Sequence, residues 1–202
     1  MFPLQTYQER RDRLKALMPK SSIAIISAAH EVIRNRDAEY PFRQSSDFWY
    51  LTGFTEPDAV LVIGPGQPDR LFVRPKNPDQ EVWTGRRLGP DHVNAGLGID
   101  EGYPLGALEE ELSRLLSDVA WIEYPFYCTH STAIVDRVIK AKGIKSRRQD
   151  LLTHRVDLSR HLHAARLIKS TQEIAVMREA GRISALGHVS AMQACRPGLT
   201  ED

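Results

Sequence analysis

Ile23-Ala24-Ile25-Ile26 is an unbroken apolar run rich in β-branched residues, the pattern of a strand covered on both faces. Ala59 to Ile63 repeats it and is stopped by Gly64-Pro65-Gly66. Leu71-Phe72-Val73 supplies a third strand before Pro75, and a turn-rich segment runs from Pro75 to Asp79. Val119 to Ile122 and Val82 to Leu88 are predicted as shorter strands. So is Phe48 to Thr52, an aromatic run ended by Gly53. Helical periodicity is clearest from Leu105 to Leu116, where Leu108, Leu112, Leu115 and Leu116 share one face and Glu109, Glu110 and Glu111 cover the other. Ser131 to Lys140 predicts a second helix with Ile134, Val135 and Val138 inward. Ahead of the first strand, Thr6 is placed to cap a helix whose apolar positions are Leu14, Leu17 and Met18 and which stops before Pro19. Strands alternating with helices predict an α/β domain.

The character changes after Lys140. Five of the nine residues from Lys140 to Arg148 are basic, which suits either a solvated helix end with a linker or an anionic partner. No aromatic side chain is interleaved to stack on bases, so a nucleic acid is disfavoured. Ser170-Thr171-Gln172-Glu173 has the form of a capping box. Ile174, Met177, Ala180, Ile183 and Leu186 then make a stripe on a long helix ending near Cys195, before Pro197-Gly198. Thr200-Glu201-Asp202 reads as the N-cap and first turn of another helix, the pattern expected of a fragment. The chain divides on this basis into a domain at 1–165 and a linker with helix at 166–202.

Composition narrows the function classes. The 202 residues are 42% hydrophobic and 26% charged, with a formal net charge of +1. That is an ordinary globular balance with no global field to attract nucleic acid or membrane. The N-terminus carries Glu9, Arg10, Arg11, Asp12, Arg13 and Lys15 where a signal peptide needs an apolar run. The longest apolar stretch, Ile23 to Ala29, is too short to span a bilayer. Cys128 and Cys195 have no metal or redox spacing. A cytoplasmic protein is the expectation.

The densest stretch runs from Arg34 to Phe54. Tyr40, Phe42, Phe48, Trp49, Tyr50 and Phe54 crowd into it beside Arg34, Arg36, Asp37, Glu39, Arg43 and Asp47. Rings are seldom spent on disordered chain, so Arg34 to Ser46 reads as an ordered loop. Its rings pin it to the core, and its charges either pair with one another or face a ligand.

The residues Arg36-Asp37-Ala38-Glu39-Tyr40-Pro41-Phe42-Arg43-Gln44-Ser45-Ser46-Asp47-Phe48-Trp49-Tyr50-Leu51-Thr52-Gly53-Phe54 resemble the signature of the N-terminal domain of Xaa-Pro aminopeptidases (aminopeptidase P), which are creatinase/prolidase-like. The likeness continues through Glu56-Pro57-Asp58-Ala59-Val60-Leu61 and Glu81-Val82-Trp83-Thr84-Gly85-Arg86-Arg87-Leu88-Gly89, and recurs at Arg166 to Ser170 and Glu173 to Gly198. The resemblance implies a mixed-sheet α/β N-terminal domain, then a long linker helix that would open a pita-bread catalytic domain. It implies cleavage of the residue preceding proline at a peptide N-terminus, by two Mn ions held in that catalytic domain. It also implies that the N-terminal domain caps the active site and mediates contacts in a homo-oligomer. The N-terminal domain of a proline dipeptidase, or a stand-alone binding module, remains the alternative.

The metal ligands of such enzymes are two Asp, one His and two Glu. Asp47, Asp58 and Asp69 follow one another at the spacing of the family's Asp pair, but the residues around them do not match its pattern. His161 and His163 flank Leu162, which would put both on one side of a strand, with no third ligand nearby. No metal and no catalytic residue is therefore assigned to this chain. The resemblance leaves a supporting role, with Trp83, Asp37 and Arg86 as candidate substrate-binding residues. Trp83 would wall the substrate, or else pack in the core. Asp37 would meet the peptide's free amino end, or else pair with Arg36 or Arg43.

Overall fold

The computed structural model describes residues 2–145 and 154–200. The polypeptide forms two units, Met1–His163 and Ala164–Asp202. The first opens with α1 (Leu4–Leu17), β1 (Ser22–Ser27), β2 (Ile33–Asn35), β3 (Ala38–Glu39), α2 (Ser46–Thr52), β4 (Val60–Ile63) and β5 (Arg70–Val73). It continues with α3 (Pro78–Thr84), α4 (Val93–Leu97), β6 (Glu101–Pro104), α5 (Leu108–Leu115), β7 (Trp121–Tyr124), α6 (Thr129–Lys145) and β8 (His154–Asp157). Helix α7 (Ser159–Leu167) crosses from the first unit into the second, which holds α8 (Thr171–Ala194).

Six strands form one mixed sheet in the order β6-β5-β4-β1-β7-β8. Strand β4 pairs antiparallel with both neighbours, and the remaining pairings are parallel. All six residues of β1 are buried, as expected for a central strand with helices on both faces. Alternation splits the core in two. Ala24, Ile26, Leu61, Ile63, Leu71 and Val73 meet α1, α2, α4 and the start of α7. Ile23, Ile25, Val60, Val62, Phe72 and Ile122 meet α5 and α6.

The apolar runs at Ile23, Ala59 and Leu71 are β1, β4 and β5, and the 105–116 periodicity is α5 after a short 3-10 turn. Ile134, Val135 and Val138 are buried as the pattern requires. Four expectations fail. Thr6 caps nothing: α1 starts earlier, after Pro3, and buries Tyr7, Arg10, Arg11 and Leu14, with Met18 buried just past its end and Leu17 facing solvent. Phe48 to Thr52 is not a strand but part of α2, because Phe48, Leu51 and Thr52 recur at helical spacing and are all buried. Gly53 then closes that helix in the left-handed region. Val82 to Leu88 is not a strand either: Asn77 Oδ1 accepts from Gln80 N, Pro78 follows at the first helical position, and residues 78–84 are α3. Finally, Arg34 to Ser46 is more than a loop, since β2 and β3 pair across a turn at Arg36-Asp37.

In the second unit, Ser170 Oγ accepts from Glu173 N and Glu173 returns to Ser170 N, completing the expected capping box of α8. Of the basic run, Lys140 is an exposed position of α6, and 146–148 lie outside the described residues. So do Glu201 and Asp202 of the expected further helix.

Candidate functional site

Because β1, β5 and β7 run the same way, the segments that leave them emerge at one end of the sheet. That is where mixed and parallel sheets present functional loops. At this end the three most distinctive sequence blocks are tied together by two side chains. Gln44 Oε1 accepts from Ala29 N (2.8 Å), and its amide donates to Phe54 O (3.2 Å) and Glu56 O (2.8 Å). Glu56 Oε1 in turn accepts from Leu88 N (2.7 Å). The hairpin excursion from 30 to 43, the 54–58 turn and the loop after α3 therefore share one backbone-anchored base. Neither Gln44 nor Glu56 stands out in sequence, since a single polar residue between aromatics carries no signal of what backbone it will meet.

The rings divide by role. Phe48, Tyr50 and Phe54 are buried, and Trp49 packs edge-on against Tyr7 (5.9 Å). Arg10 lies over the Tyr50 ring (4.2 Å) and donates to Tyr50 O (3.0 Å). The charged half stays in water: Arg34, Arg36, Asp37, Glu39 and Arg43 are all exposed. So the aromatic half pins the stretch and the charged half is presented.

Asp37 occupies the turn between β2 and β3. Among the described residues it makes no ion pair with Arg36 or Arg43; Arg43 donates to Ser46 Oγ (3.4 Å) instead. Trp83 lies on the last turn of α3 and is 88% exposed, so it is not a core residue. Arg86 follows Gly85, which leaves the helix at φ 83°, a conformation glycine adopts without strain. Arg86 is exposed, whereas Arg87 is held by Pro75 O (3.3 Å) and Gln80 Oε1 (2.8 Å). Trp83 and Arg86 thus flank one helix end. Asp37 sits on the separate hairpin, with no described bond to either.

The possible metal ligands do not assemble. Asp47 accepts from the Tyr127 hydroxyl. Asp58 pairs with His30 and lies 3.7 Å from Arg74. Asp69 is held by Arg11 (2.7 Å) and Lys15 (3.0 Å). His161 and His163 are on α7, not a strand, so two positions carry them to opposite sides of a helix. Among the described residues no group of three His, Cys, Asp or Glu side chains is arranged to hold a metal ion. The donors present do not fit a two-Mn centre.

Residues 7–122 match the family described as aminopeptidase P, N-terminal domain. The chain belongs to the aminopeptidase P family. It is 41% identical to Xaa-Pro aminopeptidase from Escherichia coli strain K12 over 205 residues, which cover 98% of this chain and 46% of that protein. It is 36% identical to the Xaa-Pro aminopeptidase of Haemophilus influenzae, covering 99% of this chain and 45% of the relative. The structure of proline aminopeptidase P II from Yersinia pestis superposes with a TM-score of 0.92 at 40% identity, covering 99% of this chain and 47% of that one. Zn-substituted Escherichia coli aminopeptidase P in complex with product gives 0.93 at 38% identity, again covering 99% and 47%. The chain thus spans about half the length of the aminopeptidase P relatives it matches. Its mixed-sheet α/β unit is the aminopeptidase P N-terminal fold that the signature residues imply.

Proposed function

We propose that this chain is the part of a Xaa-Pro aminopeptidase that shapes and covers the substrate cleft without performing the hydrolysis. The observation that carries this reading is the base formed by Gln44 and Glu56, which ties the hairpin bearing Asp37 to the loop beside Trp83 and Arg86. On this reading Asp37 receives the α-ammonium of the peptide, the Trp83 indole packs against a proline ring or side chain, and Arg86 adds a cation beside it. The relatives are Xaa-Pro aminopeptidases, and their name supplies the substrate class, peptides with proline second. The two Mn ions that would activate water belong, in this proposal, to the half of the relatives' length that this chain does not span. That catalytic half is its first partner, and further copies of the protein are its second. A cytoplasmic setting is part of this proposal. None of the described helices is long and apolar enough to cross a membrane.

The test is to incubate the 202-residue chain with excess Mn²⁺, desalt it, quantify bound metal, and assay Xaa-Pro cleavage on the same sample. Neither metal nor turnover is expected. Tightly held ions with turnover would overturn the reading and direct attention to Asp47, Asp58 and the α7 histidines.

A further inference from the structure

At the foot of the hairpin excursion two imidazoles meet. His30, just after β1, and His130, in the first turn of α6, lie with ring centroids 4.0 Å apart at 78°. His30 Nδ1 is bonded to Asp58. Asp58 also lies 3.7 Å from Arg74, whose guanidinium reaches Glu31 (3.4 Å), the next residue of the excursion. Beside this contact, Ser27 and Ser131 share a hydrogen bond (2.9 Å) that holds the start of α6 against the end of β1. Cys128 accepts from Ser131 (3.3 Å). The charged groups facing the two rings are therefore Asp58 and Glu31 on one side, and Arg74 and Arg137 on the other.

Two protonated imidazoles cannot share this space without opposing each other. Asp58 offers a carboxylate to His30 and holds that ring in place. Among the described residues no carboxylate is bonded to His130, and it sits at the N-terminus of a 17-residue helix, where the backbone dipole disfavours a cation. Burial, then the charges of His30 and Arg137, hold His130 below the ordinary histidine value, with Asp58 opposing them. A neutral His130 fits edge-on against the Asp58-bound His30 ring; a protonated one would meet Arg137 and the positive end of its own helix.

We propose that the His30–His130 contact is an acid-sensitive clasp, holding the excursion that carries Asp37 against α6 at neutral pH and releasing it when His130 takes up a proton. The Gln44 base stays closed in both states because none of its bonds titrates in this range. Release is therefore confined to residues 30–43. Its bearing on peptide binding rests on the role of Asp37 proposed above; the clasp itself can be read with no peptide present.

The experiment uses the 202-residue chain, following histidine ring signals by NMR and amide hydrogen exchange at 31–40 from about pH 7.5 to about pH 5.5, which brackets the ordinary histidine value. Exchange at 31–40, corrected for its intrinsic pH dependence, is expected to rise about tenfold on acidification, as local opening does when a contact is lost. The rise should shrink to less than about twofold in His130→Gln. In His30→Gln the His130 midpoint should move up, since His30 is one of the groups holding it down. A flat exchange profile in the parent chain, an unchanged rise in His130→Gln, or a His130 midpoint indifferent to His30 would each overturn the clasp. Failure of peptide binding to follow Asp37 would leave these readouts unaffected, so the two readings fail separately.

Discussion

Arg11 is fully buried in α1, and its guanidinium serves three partners: Asp69 Oδ2 (2.7 Å), Leu51 O (3.0 Å) and Gly98 O (2.6 Å). It therefore joins α1 to the C-terminal part of α2, to the start of β5 and to the end of α4. Arg11→Met should cost about 3–5 kcal/mol in urea unfolding, because Asp69 is left with Lys15 alone and two carbonyls lose this donor inside the fold. Glu123 makes the opposite case. It is fully buried in β7, and among the described residues neither carboxylate oxygen has a hydrogen bond. Ser22 lies close, but its hydroxyl donates to Pro19 O (2.7 Å). Burial pushes the Glu123 carboxyl up, with His161 and Ser22 pulling the other way. A raised carboxyl stabilises the fold where it stays protonated and costs stability as pH rises through its folded value. Glu123→Gln should therefore gain about 1–3 kcal/mol at pH 7, with a smaller gain near pH 5, measured as urea midpoints at both. Neither residue could be read from sequence: one Arg among several in a charged helix, or one Glu in an apolar run, declares no partner.

At the scale of elements, helix ends decide what the loops present. Asn77 caps α3 through Gln80 N (3.2 Å), and that short helix carries Trp83. Asn77→Ala should cost about 1 kcal/mol. Hydrogen exchange should locate the loss in 78–84 while β1 and β4 stay protected. Gly53 ends α2 at φ 66°, and a Cβ there would fall 2.5 Å from the Tyr7 ring. Gly53→Ala should cost at least about 2 kcal/mol, combining left-handed strain with a clash against a buried ring. Both helices look like strands in sequence for the same reason. Aromatic and β-branched content favours β locally, while the signals that settled the matter, Asn77-Pro78 at one start and Gly53 at the other end, are single residues at boundaries.

Across the whole molecule, acid should act in two steps. His130, held down by burial and by His30 and Arg137, favours the fold above the ordinary histidine value and loses that contribution as pH falls toward its lower folded value. Asp157 follows at lower pH. Burial works against its charge, but Ser159 Oγ (2.6 Å), Ser159 N (3.0 Å) and Phe126 N (3.2 Å) outweigh that and hold the carboxyl below its usual value. Its stabilisation is present above the ordinary aspartate value, about 3.9, and is lost as pH falls below it. Urea midpoints measured from pH 8 down to pH 3 should decline first near the histidine range and again near the aspartate range. His130→Gln should remove only the first decline.

The sequence by itself determined the α/β class, the central strand β1 with β4 and β5, the two-sided helical cover and the capping box of α8. Each rests on a local pattern: apolar runs, helical spacing, a cap. The signature blocks were equally legible as pieces. Only the tertiary structure decided that Gln44 and Glu56 tie these blocks into one base, that Trp83 is presented and not buried, and that His30 meets His130. Those contacts join residues far apart in the chain, and no local pattern encodes which side chain a distant backbone group will find. The sheet decides it, by bringing the ends of β1, β5 and β7 to one edge.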